Sequence, residues 1–106
     1  MTRKLCTFLF LFVLQISFAK EYTFLPGDIP VMKQLMGSGK LQPGDVVVLQ
    51  DGTYTDLEEI DFTGKGTFDK PIVWKAQNPG KAIISGKLNL KIYGEYLQLE
   101  GLFFYQ

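Results

Sequence analysis

Pro43-Gly44-Asp45-Val46-Val47-Val48-Leu49-Gln50-Asp51-Gly52-Thr53-Tyr54 sets the architecture of this chain. A Pro-Gly-Asp turn launches an apolar β-branched run, Val46–Leu49. Asp51-Gly52 then turns it into a second short strand, Thr53-Tyr54-Thr55. The pattern continues to the C-terminus. Further strands are expected at 59–62, 72–77, 82–85, 88–92, 96–99 and 102–105. Turn signals separate them: Gly64-Lys65-Gly66, Asn78-Pro79-Gly80, Gly86, Gly94 and Gly101. Short strands set off by frequent glycine-bearing turns describe an all-β chain.

Two all-β architectures fit these signals. Gly86-Lys87 and Gly94-Glu95 both suit the two-residue turn of a β-hairpin, which would give an antiparallel meander. The alternative is a parallel solenoid, for which internal periodicity is the test. Val47, Ile72 and Leu97 recur at one constant interval, and Leu49, Trp74 and Leu99 repeat it. Both trios occupy the inward parity of their strands, so like residues are expected to stack one coil above another. Ile60 and Ile84 give a weaker echo at almost the same interval.

Before this β region, residues 20–25 form a short lead-in strand broken by Pro26-Gly27. Asp28 then suits an N-cap, with Pro30 in the first turn, and an amphipathic helix is expected over 29–36. Val31, Leu35 and Met36 are the residues expected to lie over the first coil. Met32 and Met36 read as core packing.

Residues 1–19 have a different character. Arg3 and Lys4 precede a short apolar run, and Ser17-Phe18-Ala19 resembles a cleavage site, so the segment reads as a secretory signal peptide. The apolar run is short for a membrane span. An exported, periplasmic or secreted protein is expected, with no membrane association after cleavage.

The 106 residues carry no net charge and no histidine. That excludes a basic nucleic-acid footprint and imidazole chemistry. Without residues 1–19 the chain also loses Cys6 and Arg3, its only cysteine and arginine. No disulfide, thiolate or guanidinium remains.

The candidate site residues are few. Asp56, Glu58, Glu59 and Asp61 form an acidic cluster that invites a calcium reading. Strand alternation separates Glu58 from Glu59 and no calcium-loop pattern is present, so a solvated face is the expectation. Lys75, Lys87 and Lys91 are expected on the outward faces of strands. Tyr54 and Tyr93 lie near turns, where packing is the expected role and sugar stacking the alternative. Trp74 belongs to the repeating ladder and is expected in the core.

Three segments carry a family resemblance: 43–54 above, Asp69–Lys81 with Ile84-Ser85-Gly86, and Gly94–Phe104. In this order they resemble polysaccharide lyase family 6, which contains chondroitinase B and alginate lyases. The resemblance covers about residues 40–106 and the preceding helix. It implies a right-handed parallel β-helix, the pectin-lyase-like solenoid, with a short N-terminal capping helix. The implied organisation is a signal peptide at 1–19, lead-in strand and cap helix at 20–40, and the first two to three coils at 41–106.

The resemblance further implies an exported lyase that cleaves a uronate-containing polysaccharide, of alginate or chondroitin/dermatan type, by β-elimination. A non-catalytic segment of an adhesin-like surface protein and a small carbohydrate-binding domain are the rival readings. The family's catalytic lysine and arginine, and its calcium ligands, match no position here. No catalytic or metal residue is therefore assigned in this chain, and its substrate-binding residues are undetermined. Calcium is expected only in the full-length family. The resemblance implies that the chain stops inside its third coil. The isolated chain is then expected to be inert and to self-associate through its uncovered apolar edge.

Overall fold

In a computed structural model that describes residues 19–105, nine strands, a 3-10 turn and one helix follow one another as a solenoid. The expected signal peptide lies almost wholly outside the described residues. The strands are β1 (Glu21–Phe24), β2 (Val46–Leu49), β3 (Gly52–Thr55), β4 (Glu58–Lys65), β5 (Ile72–Ala76), β6 (Ala82–Ser85), β7 (Leu88–Glu95), β8 (Leu97–Glu100) and β9 (Phe103–Tyr105). Between β1 and β2 lie the turn Pro26–Asp28 and helix α1 (Ile29–Gly37).

Every strand pair is parallel. The strands form three sheets: A, in the order β1-β2-β5-β8; B, in the order β3-β6-β9; and C, β4-β7. This is the arrangement of a right-handed β-helix. The meander is excluded, because Gly86-Lys87 turns the chain from sheet B into sheet C without reversing any pairing. Gly94 makes no turn at all. It lies within β7 opposite Gly64 of β4. At φ +144° a side chain on Gly94 would run into the Gly64 backbone, so the two glycines let the paired strands approach and continue.

The inward faces stack as expected, but one register differs. From β1 to β2 and from β5 to β8 the expected interval holds, so Tyr22 pairs with Val47 and Trp74 with Leu99. From β2 to β5 the interval is longer by two positions. Trp74, not Ile72, stands over Val47, and Ala76 stands over Leu49. Corner lengths explain the shift. The first coil has a six-residue corner at 66–71 and a two-residue corner at 50–51; the second has Tyr96 alone and a five-residue corner at 77–81. The Ile60–Ile84 echo is also overturned: Ile60 pairs with Leu90, and Ile84 with Tyr54. In both cases the inward face is kept and only the partner changes.

The N-terminal segment forms a rung of its own. β1 lies under β2 in sheet A. Pro26 lies against Gly52 at the start of β3. Helix α1 lies against β4, where the Thr63 hydroxyl donates to the Met36 carbonyl at 3.3 Å and Lys33 Nζ donates to the Leu57 carbonyl at 2.9 Å. Met32 and Met36 are fully buried, each a gain of roughly 1.5–3 kcal/mol over exposure. Val31 points away and is 60% exposed, so Met32 takes its place in the covering face, beside the expected Met36 and a half-buried Leu35. Asp28 does not cap the helix through its side chain. Its carboxylate accepts from the Leu25 N–H at 2.9 Å and closes the preceding turn.

Asp45 is the buried charged residue among those described. One carboxylate oxygen accepts from the Lys20 N–H at 3.0 Å and the other from the Gln42 N–H at 2.8 Å. The side chain thereby ties the start of β1 to the loop that launches β2.

Trp74, Leu49, Val47, Ile72 and Phe62 are fully buried in one continuous core. Trp74 meets Phe62 edge to face, with ring centroids 6.2 Å apart. Its indole N–H has no partner. Removing the indole empties a site walled by strands on both sides, which cannot collapse. Trp74→Ala is expected to cost about 3–5 kcal/mol. Trp74→Phe, which keeps an aromatic ring and removes the unpaired donor, is expected to cost less than half as much. Urea midpoints of the two variants check both values.

Candidate functional site

The outer faces of the three sheets and their corners are where the solenoid meets solvent. On sheet A a shallow cleft of about 270 Å³ runs over Val46, Val48 and Val73, bordered by Glu21, Lys75, Gln77 and Glu100. Lys75 is half-buried in this cleft with Val48 and Glu100 on the neighbouring strands, one lysine against the two acids of the border. That balance gives no net attraction for a polyanion.

On sheet C the outward residues pair across the ladder as Glu59 with Asn89, Asp61 with Lys91, Thr63 with Tyr93 and Lys65 with Glu95. The acidic cluster is thus dispersed. Glu59 and Asp61 lie along one strand face, and Asp61 is opposite Lys91. Asp56, in the corner before β4, and Glu58, its first residue, adopt left-handed backbone conformations, with φ +53° and +60°. Among the described residues no three side chains of metal-ligating type converge. Calcium takes about 6–8 oxygen ligands, so these residues do not fit it. Glu58, Glu59 and Lys87 instead border an open depression with Leu88 and Asn89.

The corner from sheet C to sheet A is different. A cleft of about 520 Å³ opens there between Leu41, Gln42, Thr63, Lys65 and Tyr93, with glycines 39, 64 and 94 on its surface. Tyr93 is 56% exposed. The corner that leaves this cleft carries Phe68 and Tyr96, two exposed rings whose centroids are 6.4 Å apart, edge to face. Phe68 escaped the sequence reading because it lies in a Gly-, Lys- and Asp-rich turn. The signal that would have found it is the aromatic within that polar loop.

Tyr54 turns out to be unavailable for ligand contact. It is fully buried in sheet B, and its hydroxyl is shared between the Gln50 carbonyl at 2.8 Å and the Phe24 carbonyl at 3.0 Å.

The chondroitinase B family matches residues 33–106. A mannuronic acid specific family 6 polysaccharide lyase from human gut microbiota is 75% identical over 82% of this chain and 20% of its own, with a TM-score of 0.81. The family 6 alginate lyase AlyGC is 34% identical over 80% of this chain and 11% of its own, with a TM-score of 0.64. A family 6 polysaccharide lyase from Pseudopedobacter saltans is 29% identical over 79% of this chain and 18% of its own, with a TM-score of 0.63. The chain spans about a fifth of the first of these structures and less of the others. No curated protein matches it.

The buried phenol makes stability depend on alkaline pH. Burial, with the charges of Asp28 and Asp51 added, pushes the Tyr54 pKa from 10.0 up to about 12. Below the unfolded value the phenol is neutral in both states and its contribution is complete. Above it the unfolded chain loses the proton first, so the contribution falls as pH rises through the folded value. Melting curves are expected to show this loss between about pH 10 and 12. Tyr54→Phe is expected to remove that component and, at neutral pH, to cost about 1–2 kcal/mol through the lost hydrogen bond.

Proposed function

The chain belongs to the chondroitinase B family of polysaccharide lyases, and we propose that it forms the cap and opening rungs of an exported enzyme that cleaves mannuronate-containing alginate by β-elimination. The observation that carries this reading is the 75% identity to a mannuronic acid specific lyase across 82% of the chain. The parallel ladder supports it, since the fold of its three sheets agrees with the aligned part of that structure at a TM-score of 0.81. Export rests on the character of residues 1–19.

β-Elimination from a uronate needs three things. The carboxylate charge must be neutralised, so that the neighbouring C5 proton becomes acidic. A base must remove that proton, and a donor must protonate the leaving C4 oxygen. The C5–H electrons form the new C4–C5 double bond as the C4–O bond breaks. No water is consumed. Residues 19–105 contribute no arginine and no histidine to this chemistry. In this reading their part is structural. They close the N-terminal end of the solenoid and set the register on which further coils are laid. The calcium implied by family resemblance is, in the same reading, held by residues other than these.

The polypeptide that carries this chain is expected to release conjugated unsaturated uronate from mannuronate-rich alginate, followed by its ultraviolet absorbance. Residues 20–106 alone are expected to release none. Absence of product from mannuronate-rich alginate with the whole polypeptide would overturn the reading, whether or not dermatan sulfate is cleaved.

A further inference from the structure

Phe68 is 84% exposed, the most exposed of the large apolar residues described. An open end of the solenoid does not account for it. Ile92 and Phe104 lie in register with the buried Phe62 and Ile84, and they are exposed where no rung covers them. Phe68 sits one coil earlier, where Tyr96 from the corner of the last described coil meets it edge to face.

Nor is its corner loose. Thr67 and Lys70 exchange backbone hydrogen bonds at 3.0 and 3.1 Å, and the Thr67 hydroxyl also accepts from the Lys70 N–H. Gly44 donates to the Lys70 carbonyl from below at 3.0 Å. From above, Gly66 donates to Glu95 at 2.9 Å and Ile72 to Tyr96 at 3.0 Å. Tyr96 adopts φ +53°, a conformation unusual for a bulky residue. The frame is fixed on three sides and displays an aromatic at its tip.

We propose that this corner is a carbohydrate-binding subsite, in which pyranose rings of an acidic polysaccharide stack on Tyr93 and on the Phe68–Tyr96 pair. A pyranose has an apolar C–H face and a polar rim. Tyr93 offers a matching surface, and Gln42, Thr63 and Lys65 line the same cleft. The cleft volume falls in the range of small-ligand sites. Lys65 is the charged residue that lines the cleft, and its ammonium suits carboxylate-bearing rings. A pre-ordered platform binds without a large ordering cost. The stacking rests on the geometry alone; the acidic character of the ligand also rests on the proposed function.

Titration calorimetry of residues 20–106 tests the subsite, with saturated mannuronate oligomers as one probe and maltohexaose as a neutral control. The mannuronate oligomers are expected to bind. Phe68→Ala with Tyr93→Ala is expected to weaken binding roughly tenfold, and the melting curve is expected to stay unchanged because both rings are more than half exposed. Lys65→Gln is expected to weaken binding less and to reduce its dependence on salt. The proposal is overturned if the double variant binds as the parent does, or if the parent binds neither probe. It is also overturned if size-exclusion chromatography shows that Phe68→Ala only dissociates a second copy of the chain. Equal binding of both probes, lost in the double variant, would keep the subsite and count against the acidic polymer. Product release by the whole polypeptide judges the functional reading separately.

Discussion

Strand backbones in residues 19–105 find their hydrogen-bond partners in the coil below or the coil above, never across a tight reversal. The steps between coils are unequal. Sheet A climbs from Glu21 to Val46 to Val73 to Gln98. Sheet B takes a long step from Thr53 to Ile83 and a short one from Ile83 to Phe103, while sheet C takes a long step from Ile60 to Leu90. The tolerance for unequal steps has one condition. Whatever a corner gains or loses, an inward residue must come to rest over another inward residue, because a slip of one would turn a whole strand inside out. The first coil's long corner at 66–71 and the second coil's long corner at 77–81 meet that condition from different sides of the solenoid.

The same condition explains what is legible in the residues alone. Face is a local property, set by alternation along four or five positions. Leu49, Trp74 and Leu99 are therefore readable as inward, and Lys75 and Lys91 as outward. Partnership is not local. It depends on the summed lengths of three corners, and a fixed period cannot reveal that one of them carries extra residues. The same step from Tyr22 and Phe24 to Val47 and Leu49 is present in the sequence too, hidden because the helix in between looks like an interruption. In the structure the helix takes the position under sheet C that a strand would otherwise hold.

Polar groups divide along similar lines. The acidic residues at 56–61 look like a cluster only in one dimension; alternation and a left-handed corner spread them apart. Asp45 looks like an ordinary turn residue and proves to be the tie between the two ends of the first rung, because burial follows from what covers a residue rather than from its type. Phe68 is absorbed into a turn for the opposite reason. Nothing in its neighbours announces that the loop is rigidly framed.

The helix-filled first rung also bears on how such a chain comes into being. Synthesis proceeds at roughly 5–20 residues per second, so one coil emerges on the scale of seconds. A β-hairpin forms in about 1–10 μs. Each arriving strand thus has time to dock on a surface that is already complete. With β1 and α1 emerging first, that surface exists from the outset and carries a fixed polarity. Growth of the solenoid resembles templated extension from a seed more than collapse of a finished polymer, and the N-terminal seed sets the phase of everything laid upon it.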